Sequence, residues 1–339
     1  MWSEETALGD ASELKSCQCE QGIRITCLIG PRRLHHELPS HGISDIILFL
    51  TFATGFAFFR LDFWHRQIHY VMTMVPRSDE FQIISSLRFD PDLPNAVTQY
   101  SGQRYPEPRD SPYYLLEYHR DRLLRAAIEF GWQKSIDFLR QDVEHFARVL
   151  DTFIPDRNRA WRLRIVVDIE GSCSVDVHPA ATWPLQCMFL PASFDSHTSL
   201  SSTFPLQLLV DPQKTDPSPF TAHKTTSRNH YNAARERAGI SSPMDPKEVL
   251  LVNTRGEIME GSITTVYFRE RHNGESTSQW ATPSLDSGGM VSSSRAYALD
   301  HGFCTEKVIR TEDLVHGEQC FLSNAVRGFI PAVLNLQGR

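Results

Sequence analysis

The chain has no long basic run, no paired-cysteine spacing, no N-x-S/T acceptor and no internal repeat, and its longest apolar run falls short of the roughly 20 residues that a membrane-spanning helix needs. Each absence removes a class of function. With 34 Lys+Arg against 41 Asp+Glu and a net charge of −7, the sequence carries no electrostatic footprint for nucleic acid and favours a small-molecule partner. The cysteines, at 17, 19, 27, 173, 187, 304 and 320, are odd in number and irregularly spaced, with neither a CxxC pair nor a zinc pattern. Together with the missing acceptors this points to a reducing compartment, so a cytoplasmic protein is expected. Cys17 and Cys19 stand without a second ligand pair and read as part of a solvated tail, so no metal site is expected.

Residues 1–14 are polar and acidic, unlike an Arg-rich transit peptide or a basic secretory leader. The apolar run at 46–59 (IILFLTFATGFAFF) has three readings: a buried core helix, a short membrane-associated segment, or an extension outside the main fold. The third is preferred, without a membrane partner, because regular patterning begins only at Phe81.

What is present describes a soluble globular chain. At 339 residues, 41% hydrophobic and 22% charged, it is long enough for two domains. FQIISSLRF (81–89) reads as a strand. Leu116, His119, Leu123, Ala126, Ala127 and Phe130 fall at helical spacing before Gly131, and a second amphipathic helix is expected from Ile136, Leu139, Val143, Phe146, Val149, Leu150 and Phe153. A hairpin follows (162–169 and 172–178), and the Ser/Thr-rich stretch 191–205 reads as an interdomain linker. Beyond it come a strand at 206–211, a helix from about Asn229, a hairpin over 248–268 turning at 254–256, a strand at 279–282, a helix at 294–301 and a strand at 319–323. Strands dominate this half without βαβ regularity, so the fold class is α+β. The expected organisation is an extension at 1–78, a smaller α/β domain at 79–190, the linker at 191–205 and a larger domain at 206–339.

Four segments carry candidate chemistry. In PFTAHKTTSRNHYNAAR (219–235) a single lysine stands in a polar loop, which alone reads as a solvated surface residue. In IMEGSITTVYF (258–268) Glu260 interrupts a β-branched run, the place of a strand-end carboxylate as readily as a functional one. In ATPSLDSGGMVSSSRAYAL (281–299) two glycines and three serines precede a helix; they offer amides and hydroxyls to an anion, or simply an N-cap. In EYHRDRLLRAA (117–127) Arg122 follows His119 by one helical turn, on a face that is functional or merely solvated.

Taken in order, these segments resemble the fold-type IV pyridoxal-phosphate (PLP) enzymes, which include branched-chain and D-amino-acid aminotransferases and 4-amino-4-deoxychorismate lyases, over about residues 81–335. The resemblance implies a two-domain, D-amino-acid aminotransferase-like fold preceded by an atypical extension, and a homodimer. It assigns Arg122, in H-x-x-R-L, to the cofactor phosphate; Lys224, in K-T and K-x-x-x-R contexts, to the cofactor imine; and Glu260, in E-G-S, to the pyridine nitrogen. Thr282, Pro283, Leu285 and Arg295 keep the frame of the phosphate-wrapping segment, which places Ser293 and Ser294 at the phosphate and Asn324 in the C-terminal cofactor loop. Asn324-Ala325, the Lys224-to-Arg228 spacing and YYLLEYHRDRL look like the fungal-type aminodeoxychorismate lyase branch. The family's D-R-G-x-x-x-G-D-G segment is missing, Ser292 replaces a glycine, and Asp168-Ile169-Glu170-Gly171 stands where the bacterial lyases have R-G.

The implied chemistry suits these residue types. A primary amine forms an imine and then moves protons, a carboxylate keeps the pyridine nitrogen charged, and an arginine fork meets phosphate oxygens. For a lyase releasing 4-aminobenzoate and pyruvate, a step in folate biosynthesis, Ser86 is a candidate proton relay, and Arg88, Arg228 and Arg327 are candidates for the substrate carboxylates. An aminotransferase with the same lysine and glutamate is the nearest rival, and a non-catalytic binding module the next.

Overall fold

The computed structural model describes residues 81–101, 104–200, 205–272 and 275–336 and, within residues 1–80, six strands. The chain divides into two compact units, Met1–Phe81 and Gln82–Arg339.

In the first unit β1 (Ser3–Ala7), β2 (Glu13–Gln18), β3 (Arg24–Ile29), β4 (Ile46–Phe52), β5 (Gly55–Leu61) and β6 (Thr73–Val75) follow one another as an antiparallel meander. The helical reading of the apolar run at 46–59 is therefore corrected: β4 and β5 form a hairpin with Phe52 opposite Gly55. Its isoleucines, threonine and phenylalanines favour strand over helix, and the glycine breaks the run near its middle.

The second unit opens with β7 (Ile83–Phe89), which pairs with β8 (Trp161–Val167), and this in turn with β9 (Cys173–Pro179), in a three-stranded antiparallel sheet. Among the described residues four α-helices lie between β7 and β8: α1 (Leu93–Ala96), which continues into a π-helical turn at Val97–Ser101, α2 (Leu116–Glu129), α3 (Gln133–Leu139) and α4 (Val143–Asp151). The single amphipathic helix expected over 136–153 is thus two. Asp142 breaks it, because its side chain accepts the His145 amide at 2.6 Å and caps a new helix, while Ile136, Leu139, Phe146 and Leu150 still bury one stripe. Residues 191–205, expected as a linker, contain α5 (Phe194–Thr198), closed by a Ser193–Ser196 capping box. Phe194 and His197 both pack on Phe321, each with 5.6 Å between ring centroids. Its hydroxyls serve as caps, which explains the loop-like composition.

The remaining strands build an eight-stranded sheet. They are β10 (Leu206–Lys214), β11 (Lys247–Val252), β12 (Ile258–Gly261), β13 (Thr265–His272), β14 (Glu275–Pro283), β15 (Cys304–Lys307), β16 (Gln319–Asn324) and β17 (Gly328–Leu334), in the spatial order β12-β11-β10-β17-β16-β13-β14-β15. β10 runs parallel to both β11 and β17, and β14 parallel to β15; the other pairs are antiparallel. The mixture of two sheets with segregated helices is α+β. Three further helices, α6 (Pro219–Ala222), α7 (Asn229–Arg237) and α8 (Ser293–Asp300), lie between strands of this sheet. The core gathers Tyr114, Met188, Tyr267, Tyr297, Phe321 and Phe329. Gly328 turns β16 into β17 at φ +67°, where a Cβ would stand 2.0 Å from the Cys187 carbonyl oxygen, so only glycine fits. No helix among the described residues is long and apolar enough to cross a membrane.

Candidate active site

A cavity of about 410 Å³ gathers Lys224, Glu260, Arg122, Ser293, Ser294, Asn324, Ser86, Arg88, Arg228 and Arg327 into one wall. These residues come from β7, β12, β16, α2, α8 and the connecting stretches, and each is placed by local chemistry.

Lys224 follows α6, and its stretch is sewn onto β7. The Ile84 amide donates to the Lys224 carbonyl at 2.9 Å, the Thr226 amide to the Gln82 carbonyl at 2.9 Å, and the Gln82 amide to the Thr226 hydroxyl at 3.0 Å. The lysine that reads as a solvated loop residue in the sequence is therefore held between the two sheets. Burial, reinforced by Arg228 and Arg122, pushes its amine well below the ordinary lysine range even though Glu260 pulls the other way. Such an amine is a nucleophile and a base at neutral pH.

Glu260 lies on β12, opposite Leu251 of β11. The Gly288-Gly289 turn passes so close that a Cβ on Gly289 would stand 2.4 Å from the Met259 carbonyl oxygen, which explains the glycine ahead of the serine run. Burial pushes the Glu260 carboxyl up to about 7, against the lowering effects of a hydrogen bond from Tyr231 and of Arg228 and Lys224. Tyr231 is a site residue that sequence reasoning missed. It lies on α7, seven residues beyond Lys224, fully buried with its hydroxyl on the carboxylate, and the Arg228 guanidinium lies 4.4 Å from its ring centroid. An aromatic residue seven positions beyond the candidate lysine is the signal the sequence holds for it.

Ser292 caps α8, accepting from the Arg295 amide at 3.1 Å, and leaves Ser293 and Ser294 in the first turn at the cavity wall. Ser294 Oγ accepts from Ser323 at 2.8 Å, whereas Ser293 Oγ is buried without a partner. Arg122, on α2, is also buried, with its Nε unpaired, and burial lowers its guanidinium to about 10. Both residues line the cavity beside a helix N-terminus, and each keeps one buried polar atom without a partner, an arrangement suited to an anion. Arg295 is elsewhere: it clamps the Pro283 carbonyl at 3.0 Å and Glu306, holding the preceding turn.

The arginines differ in what they already hold. Arg88 is paired with the buried Asp90 at 2.7 Å and donates to the Ala181 carbonyl at 3.2 Å. Arg228 donates to the Ser262 carbonyl at 2.8 Å. Arg327 lies over Trp183, 5.6 Å from the ring centroid, and has no ion pair among the described residues. Arg162, opposite Arg88 on β8, was not expected; it lines the cavity with its Nε unpaired and likewise has no ion pair among the described residues. Asn324 places its Oδ1 on the Val326 and Arg327 amides at 3.0 and 2.9 Å, so its side chain shapes the C-terminal loop. Among the described residues no group of three or more His, Cys, Asp or Glu stands together as a metal site.

A family model described as amino-transferase class IV matches residues 108–334. Aminodeoxychorismate lyase of Saccharomyces cerevisiae is 26% identical over 253 residues, covering 64% of this chain and 66% of that protein. The Schizosaccharomyces pombe protein named "Putative aminodeoxychorismate lyase" is 27% identical over 235 residues, 67% of this chain and 87% of its own. Among solved structures, a "Putative amino-acid aminotransferase" from Mesorhizobium loti superposes with a TM-score of 0.53 at 26% identity, covering 75% of this chain and 99% of that one.

Proposed function

Because the chain belongs to the class IV amino-transferase family, we propose that its cavity binds pyridoxal 5'-phosphate and that the protein converts 4-amino-4-deoxychorismate to 4-aminobenzoate and pyruvate. The observation that carries the reading is the convergence of Lys224, Glu260, Arg122, Ser293 and Ser294 on one cavity, with two donors left unpaired. The names of both fungal relatives support the lyase over the aminotransferase.

The residues fit that cofactor. Arg122 and the first turn of α8 supply donors for a phosphate, Glu260 a carboxylate for a ring nitrogen, and Lys224 an unprotonated amine for an aldehyde. Bound there, the cofactor supplies an electron sink. Lys224 takes the proton from the substrate carbon that bears the amine, and the same ammonium then serves as general acid. With that C–H bond broken, the neighbouring C–O bond to the enolpyruvyl group breaks, the ring becomes aromatic, and the products account for every atom of the substrate. Ser86, at the cavity wall, relays a proton to the departing group, and Asn324 holds the loop that closes the cofactor's side of the cavity. Homodimeric assembly and a cytoplasmic location belong to the same reading. The deciding experiment supplies PLP-loaded protein with aminodeoxychorismate and no keto acid: equal release of pyruvate and 4-aminobenzoate is expected. Protein that ignores this substrate yet converts amino acids when 2-oxoglutarate is added is an aminotransferase.

Aminodeoxychorismate carries two carboxylates, and these require cations that are not already neutralised. Arg88 is neutralised by Asp90, and Arg228 keeps its charge but commits one nitrogen to the Ser262 carbonyl, so the roles go first to Arg327 and Arg162. Arg162→Ala and Arg327→Ala are each expected to raise KM roughly tenfold or more, the loss of a charged hydrogen bond, with a smaller change in kcat. Steady-state kinetics check this, and a KM unchanged in both variants returns the role to Arg228.

A further inference from the structure

Arg122 is held from behind. Its Nη2 donates to the Ser85 hydroxyl and lies 3.5 Å from the Ile84 carbonyl oxygen, and Ser85 Oγ is 2.6 Å from His119 Nδ1. Ser85 and His119 are both fully buried. On β7 Ser85 alternates with Ser86, so the two hydroxyls point to opposite faces, Ser86 to the cavity and Ser85 to α2. On α2 His119 precedes Arg122 by one turn, which brings both side chains to the same serine.

The directions of these bonds follow from their chemistry. A guanidinium only donates, so Ser85 Oγ is its acceptor. Burial and the adjacent Arg122 push His119 well below the ordinary histidine range, so the ring is neutral. The serine proton then goes to Nδ1, and the ring proton sits on Nε2, the nitrogen left without a partner. A neutral ring orients the serine, and the serine fixes one end of the guanidinium of an arginine that lines the cavity.

We propose that Ser85 and His119 are positioning residues that lock Arg122 in the orientation needed to hold the cofactor's phosphate. The inference rests on the PLP reading and adds to it two residues that do not touch the cofactor. Equilibrium binding of PLP and of pyridoxal, the same aldehyde without the phosphate, separates a positioning role from a merely structural one, because only PLP can feel Arg122.

For the full-length chain, Ser85→Ala is expected to weaken PLP about tenfold and to leave pyridoxal unchanged. In an Arg122→Ala background the same substitution should cost nothing more, since its effect acts through the missing arginine. His119→Gln, which keeps the serine, should weaken PLP in the same selective way and stands in if Ser85→Ala fails to fold. Equal weakening of PLP and pyridoxal, or full additivity with Arg122→Ala, would overturn the proposal. Wild-type protein that binds pyridoxal and PLP equally well would overturn the phosphate reading beneath it, and wild-type protein that binds neither would overturn the cofactor assignment as a whole.

Discussion

Lys224→Ala protein is expected to lose all measurable turnover and all borohydride-trappable PLP, while its fold and its affinity for inorganic phosphate stay near the wild-type values. The expectation follows from the way the site divides its work. The amine of Lys224 is driven well below its ordinary range: burial and two arginines disfavour its charge, leaving it free to attack an aldehyde and to carry a proton. Alanine removes both abilities at once, and among the described residues no other lysine lines the cavity to replace it. Holding the anion falls instead to Arg122 and the first turn of α8, on different elements, so phosphate binding survives. Among the described residues Lys224 makes no side-chain hydrogen bond or ion pair that fixes the 224–226 stretch; the backbone bonds to β7 do that, and they do not need the side chain. Removing a desolvated amine is therefore expected to leave stability unchanged or slightly raised. Mass spectrometry of the borohydride-treated variant is the check, and a PLP-labelled peptide at another lysine would transfer the role to that residue.

The candidate site was legible where its chemistry is local in the chain. Glu260-Gly261-Ser262, the serine run before α8 and His119 to Arg122 are short motifs, and Glu260, Ser293, Ser294 and Arg122 from them line one cavity with the other six expected residues. What could not be read is pairing at a distance. Nothing in the sequence says that Asp90 occupies Arg88, two residues away on a turning strand end, or that Arg162 on the neighbouring strand is left free. Tyr231 and Ser85 act through contacts 29 and 37 residues away, with Glu260 and Arg122. The same limit governs the fold. Periodicity marked the buried stripe of 136–153 but not its break at Asp142, because a cap depends on one carboxylate reaching one amide. The apolar run at 46–59 had no helical period, so its composition was the better guide.

Glu260→Gln carries the second large effect, and it separates function from stability in opposite directions. An amide is close in shape to the carboxylate and can still accept from Tyr231, but it cannot hold a positive charge beside it. Turnover is therefore expected to fall by roughly a thousandfold, on the order of other losses of a fixed charge at a reacting centre, with the cofactor still covalently bound at Lys224. Stability should move the other way. Burial raises this carboxyl from an ordinary 4.5 to about 7, so between those pH values the folded protein holds a proton that the unfolded chain has released. Unliganded wild-type protein then loses stability as pH rises through that window, and the full cost is present above about 7. Glutamine never ionises and escapes the cost, on the order of a few kcal/mol. Unliganded Glu260→Gln protein should thus melt higher than wild type at pH 8 and close to it at pH 4.5, with the gap opening as pH rises. Thermal melts across that range, paired with kcat at saturating substrate, test both halves. Near-normal kcat would make Glu260 a structural carboxylate, whereas a pH-independent difference in Tm would mean that its side chain is not the buried acid that the cavity geometry makes it.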